Sequence, residues 1–256
     1  MNQEYFQIFL WMMSAVAFIV FIALYFIKAG YGMFRTASWG ISINNKWAWV
    51  LMELPVFVIM FLLWGKSGVG FSLPQYVFFI LFQLHYLHRA FIFPFLLKGK
   101  GRMPLAIIAM GIVFNVLNGM MQGGGLFYFA PDELYADGWI YLLKPHAIIG
   151  IFLFFLGMSI NLHSDRVIRR LRKPGDTKHY LPKDGLYRYV TSANYLGELL
   201  EWTGFAILTA SPAAWVFVWW TFANLVPRAD AIHRHYREEF GDEAVGKRKR
   251  ILPYIY

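Results

Sequence analysis

Residues 8–27 read IFLWMMSAVAFIVFIALYFI, twenty positions without one charged side chain. At about 1.5 Å of rise per helical residue, a run of this length crosses a hydrocarbon core of roughly 30 Å. A cleaved leader would carry basic residues ahead of a shorter apolar stretch. Here Glu4 precedes the run and Lys28 follows it, so the segment is expected to stay as a first membrane span.

Outward from it, further apolar windows fall at 47–64, 71–97, 103–121, 145–162, 193–210 and 212–227, which makes seven expected spans. The last is short and must run on past Arg228, tilt, or rest on the Trp215, Trp219 and Trp220 cluster at an interface. A 256-residue chain that is 58% hydrophobic, 20% aromatic and only 15% charged suits lipid as its solvent. The expected fold is an all-α integral membrane protein, a seven-helix bundle forming one membrane domain over residues 1–256.

The net charge of +9 informs through its placement, and no nucleic-acid partner is expected. Lys28, Arg35 and Lys46 follow the first window, and Lys98, Lys100 and Arg102 follow the third. The basic stretch 163–192 follows the fifth, and a basic tail follows the seventh. The alternate connections carry only Lys66 and Lys144. The positive-inside rule therefore predicts an outside N-terminus and a cytoplasmic C-terminus. The basic stretch, with its Lys173-Pro174-Gly175 turn, is long for a plain connector and falls where soluble cofactors are found. With no cysteine in the chain, thiolate chemistry, disulfides and cysteine-based metal sites are excluded.

Ionisable residues inside spans are costly and call for a reason. Glu53 stands two residues before Pro55, and His85, Tyr86, His88 and Arg89 share one span. Asn115, Asn118 and Gln122 recur at helical spacing, as do Asn194, Glu198 and Glu201. Such stripes are expected to converge on a polar pocket open to the cytoplasm. His85 and His88 alone make a weak metal signal, the other histidines being scattered, and no metal is expected. His146, beside Pro145, reads as a satisfied structural histidine, and the Gly123-Gly124-Gly125 run reads as a flexible exit from the fourth span. No glycine-rich phosphate loop follows a strand pattern, so any nucleotide phosphates must be held by Arg and Lys side chains.

The C-terminal half carries a specific series: Asn161-Leu-His163-Ser-Asp165, Leu171-Arg172-Lys173-Pro174-Gly175, Ser192-Ala-Asn194-Tyr-Leu-Gly197-Glu198, Glu201-Trp202, Pro227-Arg228-Ala229 and His233-Arg-His-Tyr236. In the N-terminal half stand Glu53-Leu-Pro55 and His85-Tyr86-Leu-His88-Arg89. In order and spacing, this chain resembles the steroid 5α-reductase family across nearly its full length. The resemblance implies a substrate pocket within residues 1–122 and NADPH held by residues 141–256. It implies cofactor contacts from Asn161, Asp165, Arg172, Asn194 and Glu198, and likewise from Arg228, His233 and Tyr236. Arg89, Arg102 and Tyr180 match further positions near the cofactor or its gating loop. Glu53 and Tyr86 would meet a substrate's 3-keto oxygen.

The reaction so implied is NADPH-dependent reduction of a 3-oxo-Δ4 steroid. Hydride reaches the β-carbon while charge builds on the carbonyl oxygen, and a neutral tyrosine, of ordinary pKa about 10, can donate a hydrogen bond there. Two related activities are alternatives: a trans-2-enoyl-CoA reductase of fatty-acid elongation, and an isoprenylcysteine carboxyl methyltransferase. The chain is expected to act as a multi-pass monomer on a steroid enone in membrane lipid, in a bacterial inner membrane or the endoplasmic reticulum.

Overall fold

The computed structural model describes residues 2–69, 72–173, 175–176 and 178–256, without the side chains of 37 and 132. Helix α1 spans Gln3–Phe26 and opens on Asn2, whose side chain accepts from the Tyr5 N–H and so satisfies one of the free donors of the first turn. Helix α2, Asn45–Lys66, is capped in the same way by Asn44. Helix α3, Leu73–Leu87, passes through a π-helical turn, His88–Ile92, into α4, Phe93–Leu96. Then come α5, Leu105–Phe127, and α6, Pro145–Leu171. Helices α7, Ala193–Thr209, α8, Pro212–Phe240, and the short α9, Asp242–Val245, complete the order. Proline in the first turn starts α3, α6 and α8, where its missing N–H has no intrahelical partner to lose.

Among the described residues, five helical runs are long and apolar enough to cross a membrane: Gln3–Phe26, Asn45–Lys66, Leu73–Leu96, Leu105–Phe127 and Pro145–Leu171. Helix α7 has 17 residues, and α8 has 29, the last third of which is charged. Large apolar side chains cover the outside of the bundle, Trp11 at 75% and Phe26 at 84% exposure among them, an arrangement suited to lipid rather than water.

Between α6 and α7 the backbones nearly touch. A Cβ at Gly157 would lie 2.2 Å from the Glu201 nitrogen, and one at Gly197 would lie 2.4 Å from the Asn161 nitrogen. Gly150 and Gly204 repeat the fit one heptad away on each helix, so small residues replace side-chain packing along this seam. The same principle corrects the expected exit at Gly123-Gly124-Gly125: the run is helical and buried within α5. Added Cβ atoms there would meet Leu63, Phe6 and Ala213.

Two further features differ from expectation, and α8 takes one of the courses expected of the last window. Helix α6 runs nine residues beyond Leu162, carrying Arg166, Arg169 and Arg170 on its last turns, where cations complement the helix C-terminus. Helix α8 does extend past Arg228, to Phe240. A two-stranded antiparallel pair, β1 (Ser42–Asn44) with β2 (Arg102–Pro104), adds a little strand to an otherwise helical fold and joins the connection before α2 to the one before α5. Pro174 of the expected turn lies outside the described residues. The tail folds back, with Thr191 and Ser192 donating through their N–H groups to Lys249 and Arg250 carbonyls at 2.8 and 3.0 Å.

Candidate active site

Two polar assemblies sit along the bundle. The deeper one joins α2, α3 and α5. Asn115 Nδ2 donates to the Met52 carbonyl at 2.7 Å and to Glu53 Oε2 at 3.2 Å, one helical turn ahead of Pro55. Asn118 Nδ2 donates to the Tyr86 hydroxyl at 3.1 Å. Because that oxygen accepts from Asn118, the Tyr86 proton stays available to another acceptor. Glu53, Tyr86, Asn115 and Asn118 are all buried. Rings of Phe82 at 4.8 Å and Trp202 at 5.9 Å, centre to centre, fix the tyrosine's plane.

Beside Tyr86, His85 Nδ1 lies 2.7 Å from Glu201 Oε1. One turn on, the π-helical segment carries Arg89, whose guanidinium rests over Trp49 at 4.7 Å and Phe93 at 4.9 Å. Arg89 lies within electrostatic reach of Glu198, Glu53 and Asp165, with Asp165 Oδ2 4.0 Å from its Nη1. The half-buried Arg89 cation thus stands among three carboxyl groups, and it links the deeper assembly to the second.

The second assembly surrounds a cavity of about 170 Å³ at the basic end, between the connection after α1, the end of α6, the start of α7 and the charged half of α8. Arg172, Tyr180, Asn194, Arg228 and Tyr236 line it. Asn161, Asp165 and His233 stand behind that wall. Asn161 Nδ2 donates to the Asn194 carbonyl at 3.0 Å, and Asn194 Nδ2 to Asp165 Oδ1 at 3.3 Å. Thr191 Oγ1 lies 3.3 Å from His233 Nδ1. Glu198, two turns of α7 from the seam glycine Gly204, faces Arg89 rather than the cavity.

Arg228 is the most constrained cation of the set. Its Nε donates to the Tyr195 hydroxyl at 2.9 Å and its Nη2 to the Tyr31 carbonyl at 3.2 Å, while the guanidinium lies 3.7 Å over the Tyr31 ring. Among the described residues its Nη1 is buried without a partner, as is Nη1 of Arg169. Gly32, at φ +64°, lets the chain turn here with Arg228 Nη2 only 3.4 Å from where its Cβ would be. Around the rim, burial with the nearby Arg172 cation holds His179 below its usual range. Burial likewise raises the Tyr236 hydroxyl, and the bond that Tyr180 donates to Asp176 at 2.7 Å raises the Tyr180 hydroxyl.

Arg102 is used elsewhere. It lies on β2, where its Nε donates to Ser42 Oγ at 3.2 Å and its Nη2 to the Ser42 carbonyl, and it does not line the cavity. His146 keeps one ring nitrogen buried without a partner, which corrects its expected satisfied state, although its ring packs edge-on against Tyr141. Sequence reasoning did not single out Gly32, Thr191 or Ser192 as cavity residues, nor Tyr31 as the partner of Arg228. Thr191 and Ser192 adjoin the Asn194 motif, but nothing in the local pattern of Tyr31 and Gly32 places them against Arg228.

Comparison with known proteins gives one consistent result. A profile of the 3-oxo-5-alpha-steroid 4-dehydrogenase family matches residues 101–256. The 3-oxo-5-alpha-steroid 4-dehydrogenase 2 of Sus scrofa is 39% identical over 241 residues, covering 92% of this chain and 91% of the relative. The Homo sapiens 3-oxo-5-alpha-steroid 4-dehydrogenase 1 is 37% identical over 228 residues, covering 88% and 86%. The steroid 5-alpha-reductase of Arabidopsis thaliana is 34% identical over 242 residues, covering 92% and 90%.

Proposed function

From the premise that this chain belongs to the 3-oxo-5-alpha-steroid 4-dehydrogenase family, oxidoreductases acting on CH–CH bonds, we propose that it reduces the Δ4 double bond of 3-oxo-Δ4 steroids with NADPH. The observation that carries this reading is the Tyr86 hydroxyl, buried among apolar rings with its oxygen engaged by Asn118 and its proton free. A hydroxyl so held is a preorganised donor toward an oxygen that gains charge during reaction.

The residues present fit a phosphorylated dinucleotide. Arg228 and Arg172 place two guanidinium groups at the cavity wall, and among the described residues Arg228 keeps a buried Nη1 without a partner. Such forks suit phosphate oxygens and stand in for a glycine-rich loop. Asn194, Asp165 and Asn161 form the polar ladder leading inward, with Glu198 and Arg89 beyond it, Tyr236 and Tyr180 lining the cavity, and His233 behind its wall against Thr191. When bound, NADPH supplies the hydride that goes to the β-carbon of the enone. Tyr86 then donates a hydrogen bond to the substrate's 3-keto oxygen, which carries the developing enolate charge. Glu53, held by Asn115, shares that carbonyl or orients the tyrosine. The α-carbon takes its proton afterwards, from solvent. In this reading the chain crosses the membrane seven times, α7 and α8 included, with the N-terminus outside and the cavity facing the cytoplasm. It works as a monomer.

The test uses the purified protein in detergent with NADPH and a 3-oxo-Δ4 steroid such as testosterone or progesterone. Steroid-dependent loss of the nicotinamide absorbance, with a product heavier by two hydrogens, is expected. NADPH oxidation that responds to an enoyl-CoA and to no steroid would overturn the substrate class, and failure to bind NADPH would overturn the whole reading.

A further inference from the structure

We propose that His85 and Glu201 form a positioning pair that sets the Tyr86 hydroxyl against the cofactor side of the site, an inference that rests on the function proposed above. The two groups meet at 2.7 Å with side-chain exposures of 6% and 1%. Their places in the chain give the pair its meaning. His85 immediately precedes Tyr86 on α3. Glu201 lies three residues, close to one turn, beyond Glu198 on α7, so both face the same side of that helix. The pair therefore joins the helix bearing the tyrosine to the helix bearing a cofactor-side carboxyl.

Both ends are tightly held. Trp202 packs on the His85 ring at 4.6 Å and on Tyr86 at 5.9 Å. Helix α7 at Glu201 is pressed onto α6, its nitrogen 2.2 Å from where a Cβ on Gly157 would be. Neither His85 nor Glu201 lines the cavity, and each is turned toward the other across the α3–α7 contact. The second carboxyl oxygen, Glu201 Oε2, is buried without a partner, so among the described residues His85 is the group that engages this carboxyl.

Plain adhesion between helices does not call for such a pair, since apolar side chains of similar volume pack as well without the cost of desolvating charge. What a short, directional polar contact adds is register, the relative height and rotation of one helix against another. At this location register fixes how Tyr86 and Arg89, on one helical run, stand relative to Glu198 on α7, and so to a hydride donor held on the α7 side.

The experiment compares the unaltered protein with Glu201→Gln, His85→Gln and the double variant His85→Leu with Glu201→Leu. Four quantities are measured: the folded fraction counted by NADPH binding, kcat per binding site, KM for the steroid, and the isotope effect on kcat with NADPH deuterated at the transferred position. For Glu201→Gln the expected result is NADPH and steroid affinities within about threefold of the unaltered protein. Its kcat should fall by about tenfold or more, with a larger isotope effect as hydride transfer becomes limiting. The double leucine variant should recover thermal stability and not kcat, which separates positioning from adhesion. The proposal is overturned by a kcat per binding site within twofold of the unaltered protein in Glu201→Gln, or by recovery of kcat in the leucine pair. Loss of NADPH binding in Glu201→Gln would also overturn it, placing Glu201 in the cofactor site. If the unaltered protein turns over no steroid, the underlying function fails and takes this inference with it.

Discussion

At Tyr86 one hydrogen bond decides what the side chain offers, because the oxygen accepts from Asn118 at 3.1 Å and the proposed reaction uses the proton that this leaves. Tyr86→Phe removes the donor and should lower kcat/KM for a 3-oxo-Δ4 steroid at least tenfold, equivalent to about 1.4 kcal/mol. A donor aimed at a developing oxyanion contributes about 2.7–4 kcal/mol in other enzymes, so a loss of several hundredfold is the upper expectation. Asn118→Leu keeps the hydroxyl and loses only its orientation, and its loss should be smaller than that of Tyr86→Phe. Steady-state kinetics on both variants checks the order. Arg228 supports a second prediction: its fork is fixed by Tyr195 and the Tyr31 carbonyl with Nη1 left over. Arg228→Lys cannot keep both bonds in this fork geometry and still present a further fixed donor, and NADPH should bind at least tenfold more weakly in a direct titration. Asn115 and Asn118 were legible in sequence as one helical face. Their targets were not, because Met52, Glu53 and Tyr86 lie on other helices and spacing along one helix carries no information about its neighbours.

Among the elements, the α6–α7 seam depends on glycines more than any other contact. A Cβ at Gly157 or Gly204 would stand 2.2–2.4 Å from a backbone nitrogen, which no side-chain movement can relieve. Gly157→Ala must separate the helices, with an overpacking cost of about 1–3 kcal/mol. It should lower the melting temperature in detergent, and because Glu201 sits at the same contact it should lower turnover as well. The glycines of α5 show why the sequence reading erred at 123–125. Glycine disfavours an isolated helix, but between membrane helices its small size is what close packing requires. The π-helical turn at His88–Ile92 was not legible either, since the residue spacing that suggests an inward polar stripe is nearly the same for both helix types. The rim of the cavity carries a pH dependence. Burial lowers both His179, beside Arg172, and His233, beside Arg250. The unfolded chain therefore binds protons at a pH where the folded chain does not, and stability rises with pH through that window. Their contribution is full above about pH 6.5 and is lost as pH falls from there through the folded values. Thermal melts from pH 7.5 to 5.5 should decline, and a variant with both His179→Gln and His233→Gln should decline less.

For the whole molecule, the proposed meeting of a membrane-dissolved substrate with a water-soluble cofactor depends on which end of the bundle faces the cytoplasm. The apolar windows of the sequence located all seven long helices to within a few residues at most ends, because a span must satisfy its backbone internally and so announces itself by length and hydropathy. The large misplacements, at the ends of α6 and α8, arise where the helix continues past the apolar core into its charged extension. Arg166, Arg169 and Arg170 on α6 and Arg228, Arg234 and Arg237 on α8 are read as loop by hydropathy, yet they bring cations to the cavity end. The cavity, Arg172 and Arg228 share that end with the connections rich in Lys and Arg, and the positive-inside rule assigns it to the cytoplasm. The absence of cysteine from the chain makes this directly measurable. Single cysteines introduced as Ser67→Cys, between α2 and α3, and as Lys178→Cys, between α6 and α7, are tested in sealed vesicles of known orientation with a thiol reagent that does not cross lipid. With the N-terminus outside, Ser67→Cys lies on the outer face and Lys178→Cys on the cytoplasmic face. Right-side-out vesicles should therefore label the first and spare the second until detergent is added, and inverted vesicles should reverse the pattern. Labelling of both positions from one side would mean that α3, α5 and α6 do not make three crossings between them, and the reversed pattern would place the arginine-lined cavity away from the cytoplasmic pool of NADPH.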